Sequence, residues 1–434
     1  MIKPNAILEI KTKNLIHNYK TLSTIASSSL AGATLKANAY GIGDLEIYKL
    51  LYKNNCRHFF FASLDEALTI RKKFRKGNIY VLNGIEDHNF NIFKKFNIVP
   101  ILNSRKELKK FVKNNGINKK IKIGLQVETG LNRLGISIKD LGSISTNKLD
   151  LQILISHLAS SDELKNKYNQ KQNNNFRLYF NLFKSIKYKS LVSSMGILLG
   201  KDFHYDLIRP GISIYGGHYN SKLKKKIMPV VILKAKILQI KTLSKNEYVG
   251  YNQTYKTHDK IIIAILGIGY GDGISRILSN NGDAMYKNET FKIIGRISMD
   301  TITLDITKSK NDIQIGQYCE IINTKNYFDI YHKVNKFIQN IETIENSDVE
   351  KLFSLYNSNE ISVENFLLII QFHITKVIKI LTVKNNQNNL IHCYLSLFFK
   401  INEIISSFKS FKLDQNQLLN IIKSILLNHS KNYN

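Results

Sequence analysis

Cysteine is scarce in this 434-residue chain: Cys56, Cys319 and Cys393 lie far apart, and so few provide neither a disulfide framework nor a clustered thiolate metal site. A reducing compartment, the cytoplasm, is expected. Long apolar runs are lacking too. The most lipid-like stretch, residues 366–381, is interrupted by Gln371, His373, Lys376 and Lys379, well short of the roughly 20 apolar residues a membrane span needs. Residues 1–19 contain no continuous apolar segment followed by a small-residue cleavage site, so they do not read as a secretory signal. Acidic residues are few, 33 Asp plus Glu against 63 Lys plus Arg, which leaves a formal charge of +30. Such an excess ordinarily points to nucleic acid or anionic membranes. Here the lysines are spread along the chain beside abundant Asn and Ile, as AT-biased codon usage would produce. No basic block with interleaved aromatics stands out, so neither nucleic acid nor membrane is expected as a partner.

Apolar residues make up 43% and charged residues 22%, enough for an ordinary core, and the length predicts two domains with room for an appendage. Short β-rich runs at residues 33–37, 58–62, 79–83, 98–102, 121–127, 151–156, 190–194 and 207–209 alternate with amphipathic stretches such as 63–74. Eight such units predict an α/β domain, a (β/α)8 TIM-type barrel over residues 1–227, with its site where the strands end at their C-terminal face. From residue 228 to 346 the segments become β-rich without intervening helices, for example 230–242, 260–266, 290–294 and 318–322, and predict an all-β domain. Residues 347–434 carry helical apolar spacing at 363–381, 390–408 and 415–427 with no catalytic-looking polar cluster, and read as a helical appendage. No internal repeat is present. The polar run 165–175 is low in complexity and reads as a loop.

Chemistry begins at Leu35-Lys36-Ala37-Asn38-Ala39-Tyr40-Gly41-Ile42-Gly43, where a lysine closes an apolar strand. A desolvated lysine favours its neutral amine, which attacks carbonyls to give Schiff bases; taken alone, Lys36 could equally be an ordinary strand-end lysine reaching water. It does not stand alone. Glu128-Thr129-Gly130-Leu131-Asn132-Arg133-Leu134-Gly135 follows the fifth strand, Ser156-His157-Leu158 ends the sixth, Ser193-Ser194-Met195-Gly196 the seventh and Arg209-Pro210-Gly211-Ile212 the eighth. One barrel would bring Lys36, Arg133, His157, Ser194 and Arg209 to the same rim, with glycine-containing turns after strands seven and eight able to bind phosphate.

With these motifs the chain resembles the pyridoxal-phosphate-dependent alanine racemases, in the family's order from near the N-terminus to about residue 322. The resemblance includes Gly250-Tyr251-Asn252-Gln253-Thr254-Tyr255, Gly267-Ile268-Gly269-Tyr270-Gly271-Asp272-Gly273 and Gly295-Arg296-Ile297-Ser298-Met299-Asp300. It implies that Lys36 carries pyridoxal 5'-phosphate and that Lys36 and Tyr251 are the two acid/base groups on opposite faces of the α-carbon. It implies a head-to-tail homodimer in which the tyrosine comes from the partner subunit, and a phenol needs nearby cations to act as a base at neutral pH. Arg209 is implied at the pyridine nitrogen, where a group that only donates weakens the electron sink, with His157 hydrogen-bonding and fixing it. Arg133 matches an arginine near the cofactor's phenolic oxygen and the substrate carboxylate. Tyr40, Ser194, Gly211 and Ile212 match phosphate-binding positions, the last two through backbone donors. Tyr270 and Met299 match the substrate entrance and carboxylate pocket.

Two departures stand out. Gln126 occupies the position of a lysine that is often carbamylated in the family, leaving Arg133 without that negative partner. The family's Gly-Thr-Ile-x-Tyr segment has as its nearest counterpart Glu342-Thr343-Ile344-Glu345-Asn346, with Asn346 for the tyrosine and a glutamate that would repel phosphate. Slippage of the alignment there, weaker cofactor binding or reduced activity follows. The expected activity is interconversion of L-alanine and D-alanine for peptidoglycan. The rivals are a racemase of another small amino acid, a decarboxylase of basic amino acids, disfavoured by Arg209, and a non-catalytic pyridoxal-phosphate-binding protein, disfavoured by the β domain. A nucleic-acid module rests on net charge alone.

Overall fold

Strands of four or so residues with every side chain buried, such as His58–Phe61, are too short and too apolar for a half-exposed sheet and belong in a parallel sheet covered on both faces. The computed structural model describes residues 4–322 apart from 86–89, 116–121, 142–149, 184 and 218–220. Asn346, Cys393, the segment 342–346 and the expected helical appendage therefore lie outside the described residues. The chain divides into two compact units, Met1–Ala235 with Tyr318–Thr324, and Lys236–Gln317 with Lys325–Asn434.

The first unit contains β1 (Ala6–Ile10), β2 (Leu30–Ala31), β3 (Ala33–Thr34), β4 (His58–Phe61), β5 (Asn78–Val81), β6 (Val99–Leu102), β7 (Lys122–Gln126), β8 (Asp150–Ile155), β9 (Tyr188–Ser190) and β10 (Leu207–Ile208). Strands β3 to β9 pair in sequence order, all parallel, and β10 pairs parallel with β2. Backbone hydrogen bonds close the ring. Gly32 N–H and Thr34 N–H donate to the Ile208 and Pro210 carbonyls, both at 2.9 Å, while Asp206 N–H and Arg209 N–H reach Lys189 and Val192 at 3.1 and 3.0 Å. All eight expected barrel strands are thus present in the expected order. The strand β1 joins none of them and instead pairs antiparallel with residues 231–235.

Inward-pointing Phe60, Tyr80, Val99, Ile101, Ile153, Ile155 and Leu207 fill the barrel, a packed core and not a pore. Gly124 on β7 leaves them room, since a Cβ there would stand 2.3 Å from Ile101 Cδ1 and 2.7 Å from Ile153 Cγ2. Outside, helices pack their apolar stripes on the strands: Leu15, Tyr19 and Leu22 of Thr12–Ile25 are buried, at the spacing of one helical face. The helix Leu64–Lys73 is capped by Ser63, whose Oγ accepts the Glu66 N–H.

One expectation is overturned. The polar run at 165–175 is not a loop but falls largely within the helix Lys167–Leu178, capped by the Asn166 side chain. Its buried face is Asn169, Gln172, Asn173 and Phe176. Hydrophobic periodicity misses such a helix because its inner stripe is amide, and the amide NH2 groups are met by main-chain carbonyls outside the helix. Asn169 donates to the Ser160 and Glu163 carbonyls and Asn173 to that of Asp202.

The second unit is antiparallel. Residues 237–243 of β11 (Val231–Leu243) pair with β14 (Ile261–Leu266), which pairs with β17 (Ile302–Asp305), then β16 (Glu289–Ile293), then β15 (Asp283–Tyr286). A hairpin of β12 (Tyr248–Val249) and β13 (Tyr255–Lys256) lies between β11 and β14 in sequence. The last strand, β18 (Tyr318–Ile322), falls with the first unit, where Tyr318 OH donates to the Pro4 carbonyl at 2.5 Å. The β-rich segments expected at 230–242, 260–266, 290–294 and 318–322 are all strands. Among the described residues no helix is long and apolar enough to cross a membrane.

Candidate active site

At the C-terminal ends of the barrel strands lies a cavity of about 530 Å³. Its lining includes eight of the sequence-predicted residues: Lys36, Tyr40, Arg133, His157, Ser194, Arg209, Gly211 and Ile212.

Lys36 follows β3 at a turn of unusual hand. Ala37, Asn38, Ala39 and Tyr40, none of them glycine, have φ of 53° to 57°. Each L-residue in that region costs roughly 1–2 kcal/mol, so the turn persists only because its surroundings hold it. Glu66 is one such hold: its carboxylate accepts the Ala37 N–H and the Ala62 N–H, each at 2.8 Å, tying the turn to the start of the helix Leu64–Lys73. A second is Asn38 Oδ1, which accepts the Asp44 N–H at 2.9 Å.

The anion-binding end is built from two strand termini. Ser194 Oγ accepts the Gly211 N–H at 2.9 Å and the Ser213 N–H at 3.2 Å, so its own proton is free to be given into the cavity. The Gly211 N–H is thereby consumed by Ser194, and among the described residues it is the Ile212 N–H that has no acceptor. A Cβ at position 211 would sit 2.4 Å from the Tyr40 hydroxyl, so only glycine leaves this cradle open.

Arg209 is buried, 6% exposed, and no carboxylate pairs with it among the described residues. Its Nη1 donates to the Ser190 carbonyl at 2.7 Å and to Ser190 Oγ at 2.5 Å, and its Nη2 to the Ser156 carbonyl at 2.5 Å. Burial alone pulls its pKa down to about 9, which still leaves it a cation at neutral pH. The expectation that His157 fixes Arg209 by a hydrogen bond is not met: main-chain carbonyls and Ser190 do so, and the His157 ring has no hydrogen-bond partner among the described residues. Burial holds the His157 pKa down to about 3, with the charges of Arg209, Arg133 and Lys36 adding to the effect, so the imidazole is neutral at any working pH.

Arg133 stands exposed at the rim without a hydrogen bond or ion pair among the described residues. Gln126, in the position where a negative partner was sought, turns instead to the Leu134 carbonyl, to which its Nε2 donates at 2.9 Å. Arg133 is thus a cation free to meet an incoming anion.

Tyr251, Tyr270 and Met299 belong to the second unit and are 67%, 43% and 56% exposed. Tyr251 opens a short turn after Gly250. Tyr270 and Met299 lie on adjoining loops, where Tyr270 N–H donates to the Ser298 carbonyl at 3.0 Å and Gly271 N–H to that of Met299 at 2.9 Å.

Sequence reasoning missed Glu66, Ser156, Ser190 and Gln172, which hold the residues that line the site. For Glu66 the signal was available, since Ser63-Leu64-Asp65-Glu66 is the Ser-x-x-Glu pattern of a helix start. For the others no local pattern exists, because their partners come from other strands.

Comparison with known proteins agrees with this geometry. The alanine racemase N-terminal domain matches residues 10–219 and the alanine racemase C-terminal domain residues 230–354. The alanine racemase of Rickettsia rickettsii (strain Sheila Smith) is 38% identical over 357 residues, covering 80% of this chain and 97% of that protein. That of Rickettsia canadensis (strain McKiel) is 40% identical over 323 residues, covering 73% and 89%. The crystal structure of alanine racemase from Bartonella henselae with covalently bound pyridoxal phosphate superposes with a TM-score of 0.70 at 33% identity, covering 74% of this chain and 91% of that one. The chain therefore belongs to the alanine racemase family.

Proposed function

We propose that this protein is a pyridoxal-phosphate-dependent alanine racemase, a cytoplasmic homodimer that interconverts L-alanine and D-alanine and supplies D-alanine for peptidoglycan. The observation that carries the reading is one cavity at the barrel mouth that gathers a strand-end lysine, an anion cradle open only to glycine at 211, and a buried arginine with no acidic partner among the described residues. These residues fit the cofactor. The Ile212 N–H, the Ser194 hydroxyl and Tyr40 suit a phosphate, Lys36 offers the amine that would carry the ring, and Arg209 presents only donors to the ring nitrogen.

When bound, pyridoxal phosphate supplies an electron sink for the pair left at the substrate α-carbon. The remaining work falls to the chain. The Lys36 amine takes or returns the α-proton on one face, and Tyr251 of the partner subunit does so on the other, so the configuration inverts when the two act in succession. Arg133, exposed at the rim, orients the substrate carboxylate by its guanidinium fork. Arg209, locked by three short hydrogen bonds, keeps a permanent donor where a proton would otherwise settle, and His157 remains a neutral neighbour. By the family's pattern Tyr270 and Met299 would serve the substrate entrance and the carboxylate pocket.

The test is D-alanine formation from L-alanine by purified protein with added pyridoxal phosphate, beside Lys36→Ala. The expected result is turnover by the wild type and its loss in the variant. A wild type that forms a Lys36-dependent adduct with the cofactor yet leaves alanine unchanged would refute the activity.

A further inference from the structure

The helix Lys167–Leu178 buries amides where an ordinary helix buries leucines: Asn169, Gln172 and Asn173 are each at most 1% exposed. Of these, Gln172 grips the strand end that carries the cavity rim. Its Nε2 donates to the His157 carbonyl at 3.1 Å and to Thr129 Oγ1 at 3.3 Å, and its Oε1 accepts the Ala159 N–H at 2.8 Å. One carboxamide thus spans the main chain on both sides of Leu158. Flipping it would set its NH2 against the Ala159 N–H and its oxygen against the His157 carbonyl, so a single orientation satisfies every group.

The Ser156 hydroxyl, committed to the Val127 carbonyl, sets the direction of the next bonds. Thr129 Oγ1, already accepting from Gln172, donates to Ser156 Oγ at 2.8 Å, and Ser156 Oγ donates to the Val127 carbonyl at 2.9 Å. The Ser156 carbonyl in turn receives Arg209 Nη2. The His157 ring has no hydrogen bond of its own among the described residues, so its place beside Arg209, Arg133 and Lys36 is set by its main chain, and Gln172 holds that main chain.

We propose that Gln172 is a positioning residue for racemisation: it clamps residues 156–159 from behind, placing the His157 imidazole and the carbonyl that holds Arg209. The proposal rests on the assignment of His157 and Arg209 to the cofactor site. It is tested with Gln172→Glu, which keeps the size and the acceptor for Ala159 but has at most one proton to give, and none when ionised, where the amide gives two to His157 and Thr129, and with Gln172→Leu, which removes all three bonds. The first readout is the His157 ring signal in NMR spectra of the cofactor-free chain, assigned through His157→Gln. The second is the kinetics of L-alanine racemisation well below the unfolding transition.

Both variants are expected to displace the His157 signal and to lower kcat roughly 10- to 100-fold, as misplacement by about 1 Å does, with KM nearly unchanged. An unmoved signal, whatever the activity, overturns the clamp. A displaced signal with wild-type kcat removes His157 from the reaction and overturns the positioning role. A wild type inert towards alanine would strike the proposed function and leave the spectral test of the clamp standing.

Discussion

His58 provides the sharpest quantitative test of the barrel interior. It opens β4, is 4% exposed, shares a hydrogen bond of 3.0 Å between its Nδ1 and the Tyr80 hydroxyl, and meets the edge of Tyr188 with ring centroids 5.0 Å apart. Burial, with a smaller contribution from the Lys187 charge, lowers its pKa from the usual 6.5 to about 4. The folded chain therefore binds this proton less readily than the unfolded chain. The stability that depends on a neutral His58 is intact above pH 6.5 and is lost as pH falls through 6.5 towards 4. At about 1.4 kcal/mol per unit, the full loss is roughly 3 kcal/mol, and about 2 kcal/mol of it is reached by pH 5. The perturbation is His58→Phe, which keeps a ring against Tyr80 and Tyr188 and removes the titration. Urea unfolding of the cofactor-free chain is compared at pH 8 and pH 5. The variant starts lower by roughly 1–2 kcal/mol at both pH values, because the Tyr80 hydroxyl loses its partner. Its loss between pH 8 and pH 5 should nevertheless be smaller than that of the wild type by about 2 kcal/mol. His157 titrates identically in both chains and cancels. Equal acid losses in the two chains, or a His58 NMR titration with a midpoint near the unperturbed value, would refute the reasoning.

Other perturbations follow from single sites. Arg71 is buried, 6% exposed, and its guanidinium donates to the carbonyls of Phe74, Arg75, Lys76, Gly77 and Asn97. A lysine cannot spread three donors over five acceptors, so Arg71→Lys should cost roughly 3 kcal/mol in chemical denaturation, and a loss under about 0.5 kcal/mol would show the fork to be dispensable. In the left-handed turn, Ala37→Gly relieves roughly 1–2 kcal/mol of backbone strain and adds roughly 0.5–1 kcal/mol of unfolded-state entropy. Thermal unfolding should therefore rise slightly or stay level, and a clear fall would contradict the observed φ. Gly211→Ala drives a Cβ onto the Tyr40 hydroxyl and should weaken pyridoxal phosphate binding about tenfold or more at near-normal stability; equilibrium binding followed by cofactor absorbance measures it, and wild-type affinity would remove the cradle from the phosphate site.

The order of elements was legible from the chain alone because parallel strands buried on both faces write themselves as short apolar runs, and eight of them alternate with helices before the texture turns all-β. Lys36, His157, Ser194 and Arg209 could be placed at one rim for the same reason: each ends a strand, and a barrel puts all strand ends of one sense on one face. The family motifs supplied the assignments of Tyr251, Tyr270 and Met299 that spacing could not. The helix Lys167–Leu178 was not legible, since amides carry no apolar period and become core residues only when carbonyls from other loops meet them. The left-handed turn after Lys36 carried no glycine to announce it.

The sequence by itself determined which residues end strands and which chemistry they bring, because local pattern and residue type fix both. Only the tertiary structure decided how those residues are held: Arg209 by Ser156 and Ser190 and not by His157, the Gly211 N–H by Ser194, and the His157 main chain by Gln172. The physical reason is that a buried polar group takes whichever complementary group the fold brings within about 3 Å, and for Arg209 and Ser156 the two stand 53 residues apart in the chain.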